Sequence, residues 1–481
     1  MLKRLAVIIA VILTFLFAFV SGLRYYIKPY SGGYGFRKLN AESVMIFAEQ
    51  DEFYSQPVAA GTFIQWWLVK DWDDEKWTSE LNILKEAGMN YIVLTPTAIY
   101  KTDKGTGEGK TYTMYPTSSE SFDVLRDGGG NKYDHIVDTC LRNAEKAGIK
   151  VFLGLNFSDE WWSRRRDAEW IYAQMREGNL VADELWDLYR DKYPNAFYGW
   201  YWAWEVDNGY FKNLDFTGSK KILANAIKIH LDHFDATGKH LPFMLAPYMD
   251  WRLGTPRGYA KMWEYVFENS GLKEGDIFCP QDSIGAGGLN RGNYLKWFAE
   301  LKEAVATKPG LRFWADIETF DIRDWTSITI NDLIEKMEEL KSYVENFITF
   351  SYSHYYSPNI TNPGFHKTYL DYVTNGVVES NPPSVPENVK AHMEGERTVV
   401  LNWERSEDDT GVCGYYVYRN GELVANNQVK RKNGIQEKET APTSLRDTLP
   451  KKGIEFVYEV QAYDFAGNVS ERSEKVTVIA K

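Results

Sequence analysis

Eight short apolar runs recur along this chain, each followed by a stretch of helical periodicity. They span residues 61–69, 90–96, 149–157, 197–206, 241–250, 277–284, 311–320 and 346–354. A strand that is apolar on both faces cannot leave either in water. Such runs alternating with amphipathic helices therefore predict parallel βα units covered on both sides. The intervening helices carry their own signals. Trp77, Leu81 and Leu84 recur at helical spacing before Gly88, residues 133–147 run up to Gly148, and Leu333, Met337 and Leu340 mark a further stripe. Eight units is the count of a (β/α)8 TIM barrel with insertions. An open doubly wound sheet is the rival, but no GxGxxG follows the first run. A Gly-, Thr- and Ser-rich insertion, residues 101–131, follows the second run, on the face where barrel loops carry function.

The ends of the chain read differently. Lys3 and Arg4 precede an uncharged run from Leu5 to Val20, so residues 1–22 are expected to be a signal peptide or an N-terminal membrane anchor. Residues 23–59 form a connector and 60–380 the barrel. The proline-rich stretch 381–386 is a linker, because stacked prolines resist both helix and sheet. Residues 387–481 hold short alternating strands bounded by turns, the pattern of a β-sandwich. The chain is thus expected to be secreted or anchored on the outer side of the cytoplasmic membrane.

Charge and composition narrow the chemistry. Lys and Arg number 55 against 67 Asp and Glu, and no basic tract offsets the net charge of -12, which argues against a nucleic-acid partner. Three widely spaced Cys and seven His, none in a ligand-like motif, argue against a disulfide framework or a Cys- or His-built metal centre. Aromatic residues reach 15 %, with 17 Trp and 31 Tyr. Beyond core packing, such content suits stacking on flat ligand faces such as sugar rings.

Strand alternation locates the candidate acids. In the fourth run, Phe197, Gly199, Tyr201, Ala203 and Glu205 share one face, while Trp200, Trp202 and Trp204 are bulky enough to pack under helices. In the seventh, Trp314, Asp316 and Glu318 share a face. Glu205 and Glu318 should therefore emerge at the barrel mouth, at the ends of apolar strands where an idle charge is costly. Two carboxyls facing a common cleft can divide glycosidic-bond cleavage, one protonating the leaving oxygen, the other attacking the anomeric carbon or activating water. Taken singly, each glutamate fits a helix-cap or ion-pair role equally well. A separation of ~5–5.5 Å would imply retention of configuration and ~6.5–9.5 Å inversion.

The motifs Trp204-Glu205-Val206-Asp207 and Asp316-Ile317-Glu318-Thr319-Phe320, in strand context, resemble clan A of the glycoside hydrolases. Residues 60–376 are also similar to a glycosidase-like barrel family known as domain of unknown function 4434. The resemblance implies a retaining enzyme with Glu205 as acid/base and Glu318 as nucleophile, acting on a β-linked oligo- or polysaccharide. The sequence departs from clan A in placing Trp204 where an Asn usually precedes the acid; Asn156 or Asn208 would have to substitute. The string Tyr458 to Ser470, with Trp403 and Tyr416, resembles fibronectin type III domains, implying a spacer or a module that contacts glycan or cell-surface partners.

Other strand-end groups suit a ligand rich in hydroxyls: Gln65 and Trp67, Asn156, Tyr248, Asp282, and His354 with Tyr355. Trp66, Trp161, Trp162 and Trp251 are further aromatic candidates, whereas Arg164–Arg166 reads as a solvated helix face. The expectation is an extracytoplasmic glycoside hydrolase with a carbohydrate substrate, needing no cofactor and no metal. A non-catalytic carbohydrate-binding or scaffold barrel is the alternative, favoured by Trp204. A metal-dependent hydrolase using Asp250, Asp282 and Asp316 as oxygen ligands is a third.

Overall fold

The computed structural model describes residues 55–428 and 440–479, with the backbone of Arg431–Lys432 and Ile435–Gln436. The expected signal or anchor segment lies outside the described residues, among which no helix is long and apolar enough to cross a membrane.

Eight parallel strands close into a barrel: β1 (Gly61–Gln65), β2 (Tyr91–Thr95), β3 (Lys150–Gly154), β4 (Phe197–Trp202), β5 (Phe243–Leu245), β6 (Ile277–Phe278), β7 (Arg312–Glu318) and β8 (Asn346–Phe350). Neighbours follow chain order, and β8 returns to β1 with Gly61 opposite Ile348. Helices α1 (Asp74–Glu86), α2 (Ile136–Ala147), α3 (Ala168–Tyr189), α4 (Ser219–Thr237), α5 (Pro256–Asn269), α6 (Tyr294–Ala306), α7 (Ile330–Leu340) and α8 (Pro363–Asn375) alternate with them. This is a (β/α)8 barrel. Its helices start where the residue types allow it: Asp73, Asp167, Thr255 and Thr329 each accept a backbone N–H of the first turn. Gly148 ends α2 at φ 70.

The regular strands are shorter than the apolar runs. Pro247 and Pro280 lack an N–H and interrupt the ladder just after β5 and β6. The first run turns into a short helix, Trp66–Val69, and the eighth into Tyr352–Tyr355. Beyond the regular strands the chain splays into the loops of the mouth, so Glu205 stands three residues past β4 while Glu318 is the last residue of β7.

The parity expected for the fourth run holds from Gly199 onward. Tyr201 and Ala203 pack inside the barrel with Phe63, Tyr91, Phe152, Met244 and Trp314, while Trp200, Trp202 and Trp204 join the layer beneath the helices. Phe197 departs from it, lying under the helices while Tyr198 packs against the interior. A register shift between β3 and β4 at Val151/Phe152 inserts the extra residue that flips the alternation.

The insertion after β2 is a small sheet rather than a loop. Ala98–Thr102 pairs antiparallel with Gly109–Thr113, flanked by Phe122–Val124 and by Asn156–Phe157. The C-terminal region is a sandwich of a three-stranded sheet (Lys390–Glu394, Thr398–Asn402, Ser444–Thr448) and a four-stranded one (Val412–Arg419, Glu422–Asn426, Glu455–Asp464, Val476–Ile479). Val399, Leu401, Tyr415, Val417, Tyr458 and Val460 form its core. It is seated on the barrel, since Cys413, Tyr463 and Phe465 belong to the barrel's core cluster.

Candidate active site

Glu318 is fixed through every part of its residue. Its backbone N–H donates to Asp282 Oδ2 at 3.3 Å, its carbonyl accepts from Lys336 Nζ at 2.6 Å, and its Oε2 accepts the Ala286 N–H at 2.8 Å. Lys336, from α7, also pairs with Asp282 at 2.7 Å, both side chains almost fully buried. The loop after β6 approaches this closely because Gly285 has no Cβ. A methyl there would sit 2.2 Å from the Phe320 carbonyl and 3.1 Å from Glu318 Oε2. Burial, and then the charge of Asp282, push the Glu318 carboxyl well above the usual carboxylate range; Ala286 and Lys336 oppose this, and Glu205 adds to it.

Glu205 is half-buried. Its carbonyl accepts the Trp161 indole N–H at 2.7 Å. Its carboxyl is pushed up to about 7 by burial and by Asp207, against Arg165 and a hydrogen bond with Gln281. Arg165 pairs with Asp207 and lies 3.6 Å over the Tyr210 ring. The run Arg164–Arg166 is therefore not simply a solvated face: Arg165 is largely covered, its side chain 10 % exposed, and its charge reaches Glu205.

The charge of Glu205 reaches Glu318, and the phenol of Tyr248 feels both, its pKa raised by burial, by Asp250 and by the two glutamates. Gly288 makes room for Tyr248, since a Cβ there would lie 2.4 Å from the phenol oxygen. Asp316 lies below Glu318 at the barrel axis, buried, with no partner for Oδ1 among the described residues. Burial and the neighbouring carboxyls of Glu318 and Asp282 hold its pKa well above normal.

The remaining predicted residues divide. Gln65, Trp67 and His354 meet at the β1–β8 side: the Gln65 N–H donates to His354 Nε2 at 3.3 Å, and the Trp67 and His354 rings lie 5.0 Å apart. His354 stacks near Phe350, which packs against Phe320, and Phe320 stacks on both Tyr355 and Trp325 at 5.4 Å. An aromatic arc thus runs from Trp67 past Glu318 to Trp325, with Tyr355 buried inside it.

Asn156 does not reach the mouth. It donates to the Gln174 carbonyl at 3.0 Å and is buried under α3, because its two-residue strand belongs to the accessory sheet. Asn208 makes a reciprocal pair with the Asp250 backbone, 2.7 and 2.8 Å. Neither stands in for the Asn that Trp204 replaces, and Trp204 itself packs among Phe157, Trp161 and Trp170. Asp282, expected to meet substrate, is instead spent on Lys336 and the Glu318 backbone. Among the described residues no group of three His, Cys, Asp or Glu is placed to hold an ion, and Asp250 pairs with Arg252. Of the aromatic candidates Trp161 is buried, while Trp162 and Trp251 are exposed.

Sequence reasoning missed Lys336, Arg165 and Trp325. Lys336 was signalled by its position on the apolar stripe of α7, between Leu333 and Leu340. The Ala286 N–H carried no signal, since any residue supplies one. A groove of about 500 Å³ between Lys70, Tyr133 and Arg142 includes neither glutamate.

Residues 59–362 match the family described as Domain of unknown function (DUF4434), and the chain belongs to it. Among curated proteins it is 33 % identical over 100 residues to chitinase Chi52 of Paenibacillus xylanexedens, covering 21 % of this chain and 17 % of the chitinase. It is 26 % identical over 187 residues to exoglucanase B of Cellulomonas fimi, covering 38 % and 15 %. The matches thus span well under a quarter of either relative's length. The solved endo-beta-1,4-mannanase of Thermotoga petrophila aligns over 88 % of this chain and 97 % of its own, at 12 % identity and a TM-score of 0.42.

Proposed function

We propose that this protein is a glycoside hydrolase acting on an oligo- or polysaccharide, with Glu205 as acid/base and Glu318 as nucleophile. The observation that carries this reading is that two carboxyls stand at one barrel mouth, Glu318 at the end of β7 and Glu205 just beyond β4, near enough for the charge of Glu205 to raise Glu318, with the half-buried Glu205 itself raised to about 7. A carboxyl titrating there holds a proton to give and can take one back.

In the first step Glu205 transfers its proton to the glycosidic oxygen as the carbon–oxygen bond breaks, and the Glu318 carboxylate bonds to the anomeric carbon. In the second, the Glu205 carboxylate takes a proton from water, whose oxygen displaces Glu318 from that carbon. The net outcome is retention. Asp316 supports this division. Among the described residues none of the three carboxyls of Glu205, Glu318 and Asp316 has an ion-pair partner, and they cannot all ionise together. Asp316, with one oxygen lacking any donor, is the best place for the retained proton, whereas Glu318 has the Ala286 N–H to stabilise its charge. The relatives named chitinase and exoglucanase support a glycosidase-like activity; that the substrate is a β-linked polysaccharide is part of the proposal. The basic and apolar N-terminal segment of the sequence supports reading the protein as a secreted or membrane-tethered enzyme. The C-terminal sandwich is read as fibronectin type III-like.

The test is the purified chain on a panel of neutral glycans, following reducing ends and the anomer formed first by NMR. Release of reducing ends that disappears in Glu318→Ala and Glu205→Gln supports the assignment; activity that survives both removes it. A binding-only barrel is the second reading, favoured by the commitment of Trp204, Asn156 and Asn208 to packing. It predicts glycan affinity without new reducing ends.

A further inference from the structure

The loop after β7 is a hairpin, Phe320–Asp321 paired antiparallel with Thr326–Ser327. Its turn holds Trp325 at φ 57, a left-handed conformation that a bulky side chain rarely adopts. Trp325 lies almost parallel to Phe320, 10° between planes, yet remains 50 % exposed. A large apolar ring held at an unfavourable backbone angle and left half in water, two rings from a reactive carboxyl, needs something to hold it there.

The sandwich does the holding. Gln428, almost fully buried, accepts the Ser327 N–H at 3.1 Å and donates to the Ser327 carbonyl at 3.2 Å, so its amide imitates a neighbouring strand. The same amide nitrogen donates to the Tyr463 hydroxyl at 3.0 Å, anchoring it within the sandwich. Asn426 adds a bond to the Thr326 hydroxyl at 3.4 Å. A few residues on, the Phe465 and Ala466 carbonyls accept the Ile330 and Asn331 N–H groups, at 3.0 and 2.9 Å. Those are first-turn donors of α7, which carries Lys336 and through it the Glu318 carbonyl.

We infer that the C-terminal sandwich is a structural wall of the substrate site: Gln428 is a positioning residue that pins the hairpin, and Trp325 is the face it presents to a sugar ring. This rests on the glycosidase reading and adds to it a binding residue and a role for the second domain.

Two measurements on the full chain separate the parts. Gln428→Met keeps the side-chain length and removes both amide bonds with Ser327, together with the one to Tyr463. Hydrogen exchange at residues 325–331 should quicken by about tenfold, while the sandwich core around Val417 and Tyr458 exchanges as before. Unchanged exchange in the hairpin would overturn the pinning. Should Gln428→Met lose its cooperative melt, Asn426→Ala replaces it, with a smaller acceleration expected in the same segment and the same overturning result. On a glycan that the native chain hydrolyses, Trp325→Ala and Gln428→Met should each raise KM by about tenfold, with kcat within about twofold. A fall in kcat at constant KM, or no change, overturns the platform. A native chain that hydrolyses nothing removes the glycosidase reading and the platform with it; the pinning then stands or falls on exchange alone.

Discussion

The two glutamates at the barrel mouth occupy unlike surroundings. Glu318 ends a regular strand and is gripped at its N–H, carbonyl and carboxylate by residues from the β6 loop and α7. Glu205 lies beyond its strand, half-buried, held at its carbonyl by Trp161, its carboxyl raised by burial and by Asp207. A group that must form and break a bond at one carbon benefits from fixed position. One that passes a proton in both directions benefits from a pKa near the working pH and some access to water. The contrast is therefore what unlike roles require. Two carboxylates placed only to cap helices or pair with cations would have no reason to differ this way.

The largest effect should come from the glutamates themselves. Glu318→Ala and Glu205→Gln are each expected to lower hydrolysis by about 10³-fold or more, while melting temperatures stay the same or rise, since each removes a carboxyl crowded by others. Next in size is Lys336→Met. It strands Asp282 as a buried charge without its partner and should destabilise the fold by about 3–5 kcal/mol in urea unfolding. Adding Asp282→Asn should recover part of that loss. If Lys336→Met is neutral, the grip on Glu318 is not what this account takes it to be.

The proton donor makes a smaller and sharper prediction. Only protonated Glu205 can assist the leaving group, so kcat/KM should fall as pH rises through about 7. Because Asp207 contributes to raising that pKa, Asp207→Asn should move the limb to lower pH. The smallest effect concerns Asp316. A carboxyl raised by folding contributes stability at low pH that is lost as pH rises through its folded value. Asp316→Asn should therefore melt at a temperature close to the native chain's at pH 5 and above it at pH 8.

Much of the frame was legible because strand burial writes itself into sequence: apolar on both faces, repeated eight times, with Gly88 and Gly148 marking helix ends. Glu205 and Glu318 were legible for the same reason, as charges closing apolar runs. What escaped depended on contacts between distant segments. Asn156 follows an apolar run as a ligand-facing residue would, but an accessory strand turns it under α3. Asp282 is spent on a lysine 54 positions later, a pairing that only the packing of α7 creates. The hairpin carrying Trp325 depends on Gln428, in another domain. Phe197 deviated through one extra residue in β4, which no periodicity announces.

The central claim is that Glu205 and Glu318 work as a unit on one bond. Hydrolysis rates of the native chain, Glu205→Gln, Glu318→Gln and the double variant on one glycan test it most directly. The account predicts that each single substitution removes nearly all activity and that the double variant is no slower than the worse single one. Losses that multiply, or hydrolysis that persists in the double variant, would contradict it.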